Sequence, residues 1–248
     1  MDKIGRYEFL AEPFHCDFSG RLFIGHLGNH LLNAADFHST DRGFGMRRLM
    51  TMNRSWVLSR LAIEIEEMPR QYDRFYVETW VESAMRYFTS RNFAIVGTDG
   101  RQYGYGRSIW AMIDTGTRQP TDILTIDDGA IQQWIETDRI CPIDKGGRVK
   151  MGDEATLLRT LETQYSDEDI NGHVNSVKYI EHILDLWPLS WHRDHRVSRF
   201  EIAYVAESHG GDSLSFYHEP TDAAAHCVRI TKADGTEVVR SKVTFAPL

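Results

Sequence analysis

The sequence predicts an α+β protein in which one unit, a strand followed by a helix and four further strands, occurs twice. Three observations carry this expectation. The order of strand-like and helix-like segments in the first half returns in the second. In each half an Asp-Gly pair, Asp99-Gly100 and then Asp234-Gly235, separates the last two strand-like runs, which is a strong hairpin signal. Arg107-Ser108 also recurs as Arg240-Ser241, at nearly the interval that separates the two Asp-Gly pairs.

Taken in order, residues 6–18 alternate as a strand does, and 28–40 read as a helix with Leu31, Leu32, Ala35 and Phe37 inward. Four β-like runs follow at 55–66, 74–84, 87–98 and 102–114, and a type I′ turn at Asp99-Gly100 requires positive φ at both central residues. The second half has a strand at 155–165 and a helix at 174–187 bounded by Pro188. Runs at 197–207, 212–219, 224–232 and 237–245 complete it. A strand, a central helix and an antiparallel sheet wrapped around that helix describe the hotdog fold. Two copies give a tandem (double) hotdog, two antiparallel sheets each wrapped around a central helix and paired edge to edge. The expected domains are 1–130 and 153–248. Residues 131–152 join them, opening on a short amphipathic piece with Ile131, Trp134 and Ile135.

The composition narrows the function. With 248 residues the chain is long enough for one large domain or two of about 120 residues. The mean hydropathy is −0.41, and no apolar run approaches the ~18 residues of a membrane span. The first residues show neither a secretory nor a transit pattern, so a cytoplasmic location is expected. Cys16, Cys141 and Cys227 lie far apart without a CxxC pair, which argues against a zinc site or a disulfide framework. A net charge of −8 argues against a nucleic-acid partner.

The chemistry concentrates in Ser166-Asp167-Glu168-Asp169-Ile170-Asn171-Gly172-His173-Val174-Asn175. Val177, Tyr179, Ile180, Ile183, Leu184 and Trp187 follow at helical spacing, which puts this polar cluster at a helix N-terminus. Free N–H groups and the positive dipole end converge there and stabilise a developing oxyanion. One Asp or Asn suffices to cap a helix, and Asp-x-Asn-x-His-x-Asn is more than a cap needs. Asn171 donates or accepts through its amide, His173 shuttles a proton near neutral pH, and Asp169 orients either.

Asp169 to Ile180 resembles the signature of plant-type acyl-acyl-carrier-protein (acyl-ACP) thioesterases, whose pattern runs Asp-x-Asn-x-His-Val-Asn-Asn-x-x-Tyr. The resemblance covers most of the chain. It includes Trp56-Val57-Leu58-Ser59-Arg60, Val77-Glu78-Thr79-Trp80-Val81 and Arg107-Ser108-Ile109-Trp110-Ala111-Met112. In the second half Tyr204-Val205-Ala206-Glu207-Ser208 and Gly211-Asp212-Ser213-Leu214 fall where that family has a Glu-Cys pair and a Gly-x-Asp-Ser run. The resemblance implies hydrolysis of acyl-ACP, with catalysis in the second hotdog and the acyl chain in the first. It implies catalytic roles for Asp169, Asn171, His173 and Glu207, and no metal or organic cofactor.

Ser208 stands where the plant enzymes have Cys, which removes a papain-like scheme at that position. Water is therefore the expected nucleophile, with Glu207, assisted by Asp169, as general base and Asn171 and His173 holding the carbonyl. Ser208 as the nucleophile is the alternative, and it needs a base within hydrogen-bond reach. Trp56, Trp80 and Trp110 are candidates for lining the acyl site, although core packing predicts the same residues. Arg47 and Arg48, in the run from Arg42 to Arg60, and Arg193 and Arg196, beside Arg199, are candidates for docking the acidic carrier protein.

Other signals are weaker. Gly211-Asp212-Ser213-Leu214 spells a hydrolase nucleophile motif but reads better as a turn into a strand. His192-Arg193-Asp194-His195 reads as a solvated loop, so no metal is expected. The rival functions are an acyl-CoA thioesterase, a non-catalytic acyl-binding hotdog and a hotdog dehydratase. Self-association into a homodimer is left open.

Overall fold

A computed structural model describes residues 2–152 and 154–248. Met1 and Asp153, where the two expected domains begin, lie outside the described residues. The chain divides into two compact units, Met1–Lys145 and Gly146–Leu248.

The first unit contains β1 (Gly5–Leu10), α1 (Ile24–Asp41), α2 (Met46–Met50), β2 (Arg54–Ile65), β3 (Arg74–Ala84), β4 (Phe88–Gly97) and β5 (Gln102–Asp114). Its strands are antiparallel in the order β1-β3-β4-β5-β2. One face of this sheet meets α1. The His30 ring lies against Phe9 and Phe75, and the Arg91 guanidinium reaches Ser39. Gly106 leaves room for Leu31, since a Cβ at 106 would sit 3.3 Å from the Leu31 Cδ1. The same face, beside Trp56, also takes the first part of the chain after β5. A kinked 3-10 stretch, Ile123–Trp134, buries Ile123, Ile126 and Ile131 with Phe44, Leu49 and Met112. Further on, the chain covers the opposite face, where Arg107 donates to the carbonyls of Cys141 (2.7 Å) and Ile143 (2.9 Å), and those two residues pack on Trp80.

The second unit contains β6 (Thr156–Glu162), α3 (Ser176–Leu184), α4 (Leu189–Asp194), β7 (His195–Tyr204), β8 (Ser213–Pro220), β9 (Ala225–Lys232) and β10 (Glu237–Pro247). Its strands are again antiparallel, in the order β6-β8-β9-β10-β7, the same arrangement strand for strand. Here α3 lies against β7 and β8 through Tyr179 on Tyr204 and His182 on Phe216. Few helices on antiparallel strands, with apolar side chains of α1 and α3 turned to them, is a hotdog-like architecture.

The structure corrects four local expectations. The first strand ends at Leu10, because Pro13 opens a 3-10 turn, Pro13–His15. The first helix begins at Ile24, and it buries Ala34 and His38 while Phe37 is exposed. Helix α3 spans only Ser176–Leu184, and a separate α4 follows Pro188. Finally, neither Asp99 nor Asp234 has positive φ, so the two hairpins are not type I′. In each, the glycine N–H closes on the residue three earlier (Gly100 on Gly97, Gly235 on Lys232, 3.0 Å both), and the glycine itself takes φ +86°. That is a three-residue loop with a left-handed glycine, and it is the same loop in both units.

Candidate active site

The polar motif folds into a closed loop ahead of α3. Glu168 and Val174 form an antiparallel bridge, and Asp169 N–H donates to the His173 carbonyl at 2.9 Å. Asp169 Oδ1 accepts the Asn171 N–H at 2.8 Å, the side-chain-to-backbone turn that Asp favours. Gly172 supplies the left-handed residue, at φ +74°, and its N–H returns to the Asp169 carbonyl at 3.0 Å. The helix starts only at Ser176, capped by Asn175, whose Oδ1 accepts from Val177 N–H at 3.0 Å. This corrects the expected location of the cluster. It stands before the helix end, and the amides of Asn171, Gly172, Val174 and Val177 are already bonded within the protein. Side chains, rather than these amides, are left to hold a ligand.

The connection between β7 and β8 lies beside this loop because Val174 N–H donates to the Ser208 carbonyl at 2.8 Å. Glu207 Oε2 thereby comes within 3.4 Å of His173 Nε2, and both side chains are partly open to solvent, at 39% and 26%. A third residue, His209, completes the group. Its ring stands edge-on to His173, with centroids 5.0 Å apart, and its Nδ1 lies 2.9 Å from the Gly172 carbonyl. A carbonyl only accepts, so His209 carries a proton on Nδ1. Asp212 anchors the segment: the backbone N–H of His209 and the Lys232 ammonium hold its carboxyl below the usual range.

The structure therefore brings Asp169, Asn171, His173 and Glu207 into one short stretch of surface. It does not offer Ser208 to it. That side chain is fully buried, and its hydroxyl bonds to the Tyr179 hydroxyl, which is no base: burial pushes Tyr179 up to about 12. Sequence reasoning missed His209, although Glu207-Ser208-His209 is a polar run that marks it.

The three tryptophans do not share a face. Trp110 and Trp56 lie on the helix side of the first sheet, where Trp110 donates to Ser108 Oγ and Trp56 to the Phe44 carbonyl. Trp80 lies on the other side, fully buried under Cys141 and Ile143. The helix side also holds Arg91, bonded to the hydroxyls of Thr79 and Ser39, with its guanidinium pushed down to about 9 by burial. Among the candidate docking residues, Arg47 is exposed on α2, whereas Arg48 is paired to Asp127 at 2.8 Å. Arg193 is exposed on α4 and Arg196 is half-buried on β7. Arg42, in the same basic run, is buried. Gly211-Asp212-Ser213-Leu214 forms a turn into β8, with Gly211 at φ +86°. No group of three or more His, Cys, Asp or Glu side chains placed to hold a metal occurs among the described residues.

Residues 6–127 match the family model described as the acyl-ACP thioesterase N-terminal domain, and residues 151–247 match the one described as its C-terminal domain. A palmitoyl-acyl carrier protein thioesterase of Gossypium hirsutum is 27% identical over 89% of this chain. The chain spans 58% of the length of that relative and of the one from Arabidopsis thaliana. Among solved structures, an acyl-ACP thioesterase from Bacteroides thetaiotaomicron is 52% identical with a TM-score of 0.92, covering 98% of both chains. A 12:0-ACP thioesterase from Umbellularia californica shares the fold, at 21% identity and a TM-score of 0.83 over 100% of this chain and 99% of that one. The chain belongs to the acyl-ACP thioesterase family.

Proposed function

We propose that the protein is a cytoplasmic acyl-ACP thioesterase, a tandem hotdog that hydrolyses fatty acyl-ACP to free fatty acid and carrier protein. The observation that carries the reading is the convergence of His173 and Glu207, from two separate segments, at 3.4 Å on a solvent-accessible surface. Glu207 takes a proton from a water molecule, whose oxygen attacks the thioester carbonyl carbon. Asn171 and His173 hold the oxyanion that forms, a contribution typically of ~10²–10³ in rate per donor. The carbon–sulfur bond then breaks, and the proton on Glu207 passes to the departing thiolate. Asp169 fixes the loop that presents both donors. Water as nucleophile fits the buried Ser208, which has a tyrosine and no base as its partner. In this reading the second unit carries the reaction, and the first, on the helix side with Trp56 and Trp110, takes the acyl chain.

The decisive experiment incubates the protein with acyl-ACPs of graded length, follows thiol release and identifies the acids formed. Equal yields of thiol and free acid are expected, with faster turnover on ACP than on CoA thioesters. Acyl-ACP bound without thiol release identifies an acyl-binding protein instead, and loss of water from a hydroxyacyl chain without thiol a dehydratase.

Carrier docking has its own test. Arg47→Glu should raise KM for acyl-ACP several-fold with little change on acyl-CoA, because an exposed cation on the encounter surface acts mainly through association. Arg48→Glu should do less, since Arg48 is already neutralised by Asp127. An equal loss on both substrates would remove the docking role.

A further inference from the structure

The loop that carries the candidate site exists twice. In the first unit Asp17-Phe18-Ser19-Gly20-Arg21 stands before α1 as Asp169-Ile170-Asn171-Gly172-His173 stands before α3. Asp17 N–H donates to the Arg21 carbonyl at 2.7 Å, and Gly20 N–H to the Asp17 carbonyl at 2.9 Å. Asp17 Oδ1 accepts the Ser19 N–H at 2.7 Å. Gly20 has φ +74°, the value of Gly172, and Cys16 and Leu22 form the bridge that Glu168 and Val174 form.

The neighbouring segment is copied as well. Leu22 N–H donates to Pro69 O at 2.9 Å, as Val174 does to Ser208 O. Asp73 Oδ2 accepts the Arg70 N–H at 2.8 Å, as Asp212 Oδ2 accepts that of His209 at 2.9 Å. Even the left-handed residue recurs, Tyr72 at φ +70° for Gly211.

On this shared scaffold the side chains divide into two groups. The two aspartates, the loop glycine and the hydrogen bonds they make are common to both units. Asn171, His173, Glu207 and His209 are replaced by Ser19, Arg21, Met68 and Arg70, none of which offers a general base. The buried Ser208–Tyr179 pair is exchanged together, for Pro69 and Leu27, both also buried. Such a matched exchange of interior partners is what packing requires.

His209 does something that Arg70 does not. In the first unit the loop-tip carbonyl, Gly20 O, is bound by a backbone group, Gln71 N–H, at 2.9 Å. In the second unit the corresponding carbonyl, Gly172 O, is bound by the His209 side chain, next to His173 and against its ring.

We propose that the reactive set is Asn171, His173 and Glu207 with His209 as a positioning residue, and that Asp169 is a structural anchor without a chemical role. His209 acts through its Nδ1–H on the Gly172 carbonyl and its ring on His173, and so fixes where the His173 imidazole points. This inference rests on the thioester-hydrolysis reading for its kinetic half only.

The test compares five single variants, with Glu207→Gln as the reference for loss of the base, by thermal unfolding and by kcat and KM on acyl-ACP. Asp17→Ala and Asp169→Ala should both lower Tm, since each removes the acceptor that closes its loop. Asp169→Asn keeps an acceptor oxygen and should retain Tm and hold kcat within about threefold of the parent. His209→Ala should lower kcat by about tenfold or more with KM and Tm nearly unchanged. His209→Asn, whose Nδ2 replaces Nδ1 as donor, should recover most of that loss. An Asp169→Asn variant with intact Tm and a kcat as low as that of Glu207→Gln would overturn the anchor role. His209→Asn no better than His209→Ala would overturn the positioning role. If the parent protein releases no thiol, hydrolysis itself fails, while the Tm comparison of Asp17→Ala with Asp169→Ala still decides the anchor.

Discussion

Glu207→Gln is expected to reduce kcat for acyl-ACP by about 10²–10⁴-fold, the usual contribution of a positioned general base. Its effect on Tm should be small, because the Glu207 side chain is 39% exposed and an exposed ion pair contributes little to stability. The amide keeps the size of the carboxylate and still accepts from His173, but takes no proton from water. Ser208→Ala gives the contrast. It should leave kcat nearly as it is and lower Tm, since the Tyr179 hydroxyl loses its buried partner. A dead Ser208→Ala beside an active Glu207→Gln would transfer the nucleophilic role to the serine.

The strands were the most legible part of this chain, because alternation is set by which side chains face the interior. Runs read at 74–84 and 102–114 are strands with those bounds. Helix ends were less legible. Apolar spacing starts the first helix only at Gly28, but Gly25 and Gly28 are buried on the α1 face, where close packing overrides the low helix propensity of glycine. Helices as short as Met46–Met50 carry too few residues for a period to show. Asp-Gly locates the hairpin glycines but not the turn type, since it serves both a type I′ turn and a loop ending on a left-handed glycine.

At the candidate site, residue types were legible and their states were not. Asp169, Asn171 and His173 stand out as a polar run, but that Asp169 is spent on its own loop appears only from the Asn171 N–H at 2.8 Å. The exclusion of Ser208 follows from burial, which a serine beside a glutamate does not announce. The link between His209 and Gly172 joins residues 37 positions apart, beyond the reach of any local pattern.

Trp80→Ala should destabilise the protein by about 3–5 kcal/mol, the range for deleting a buried tryptophan. At about 2–4 °C per kcal/mol for a chain of this size, the fall in Tm is on the order of 10 °C. The reason lies in its surroundings. Trp80 is fully buried against Ala94, Cys141 and Ile143, with the Arg139 guanidinium 4.6 Å above the ring. Truncation would empty the space beneath the stretch that Arg107 holds through the Cys141 and Ile143 carbonyls. Trp80→Phe should lose far less, because the indole N–H has no hydrogen-bond partner to forfeit among the described residues. Neither change should alter which acyl lengths are hydrolysed, since Trp80 faces away from α1. Trp110→Ala should behave in the opposite way. Its ring is only half-buried and lies on the helix side, so the length profile of the released acids should shift while Tm falls less. A profile that moves with Trp80 and stays fixed with Trp110 would place the acyl chain on the other face of the first sheet.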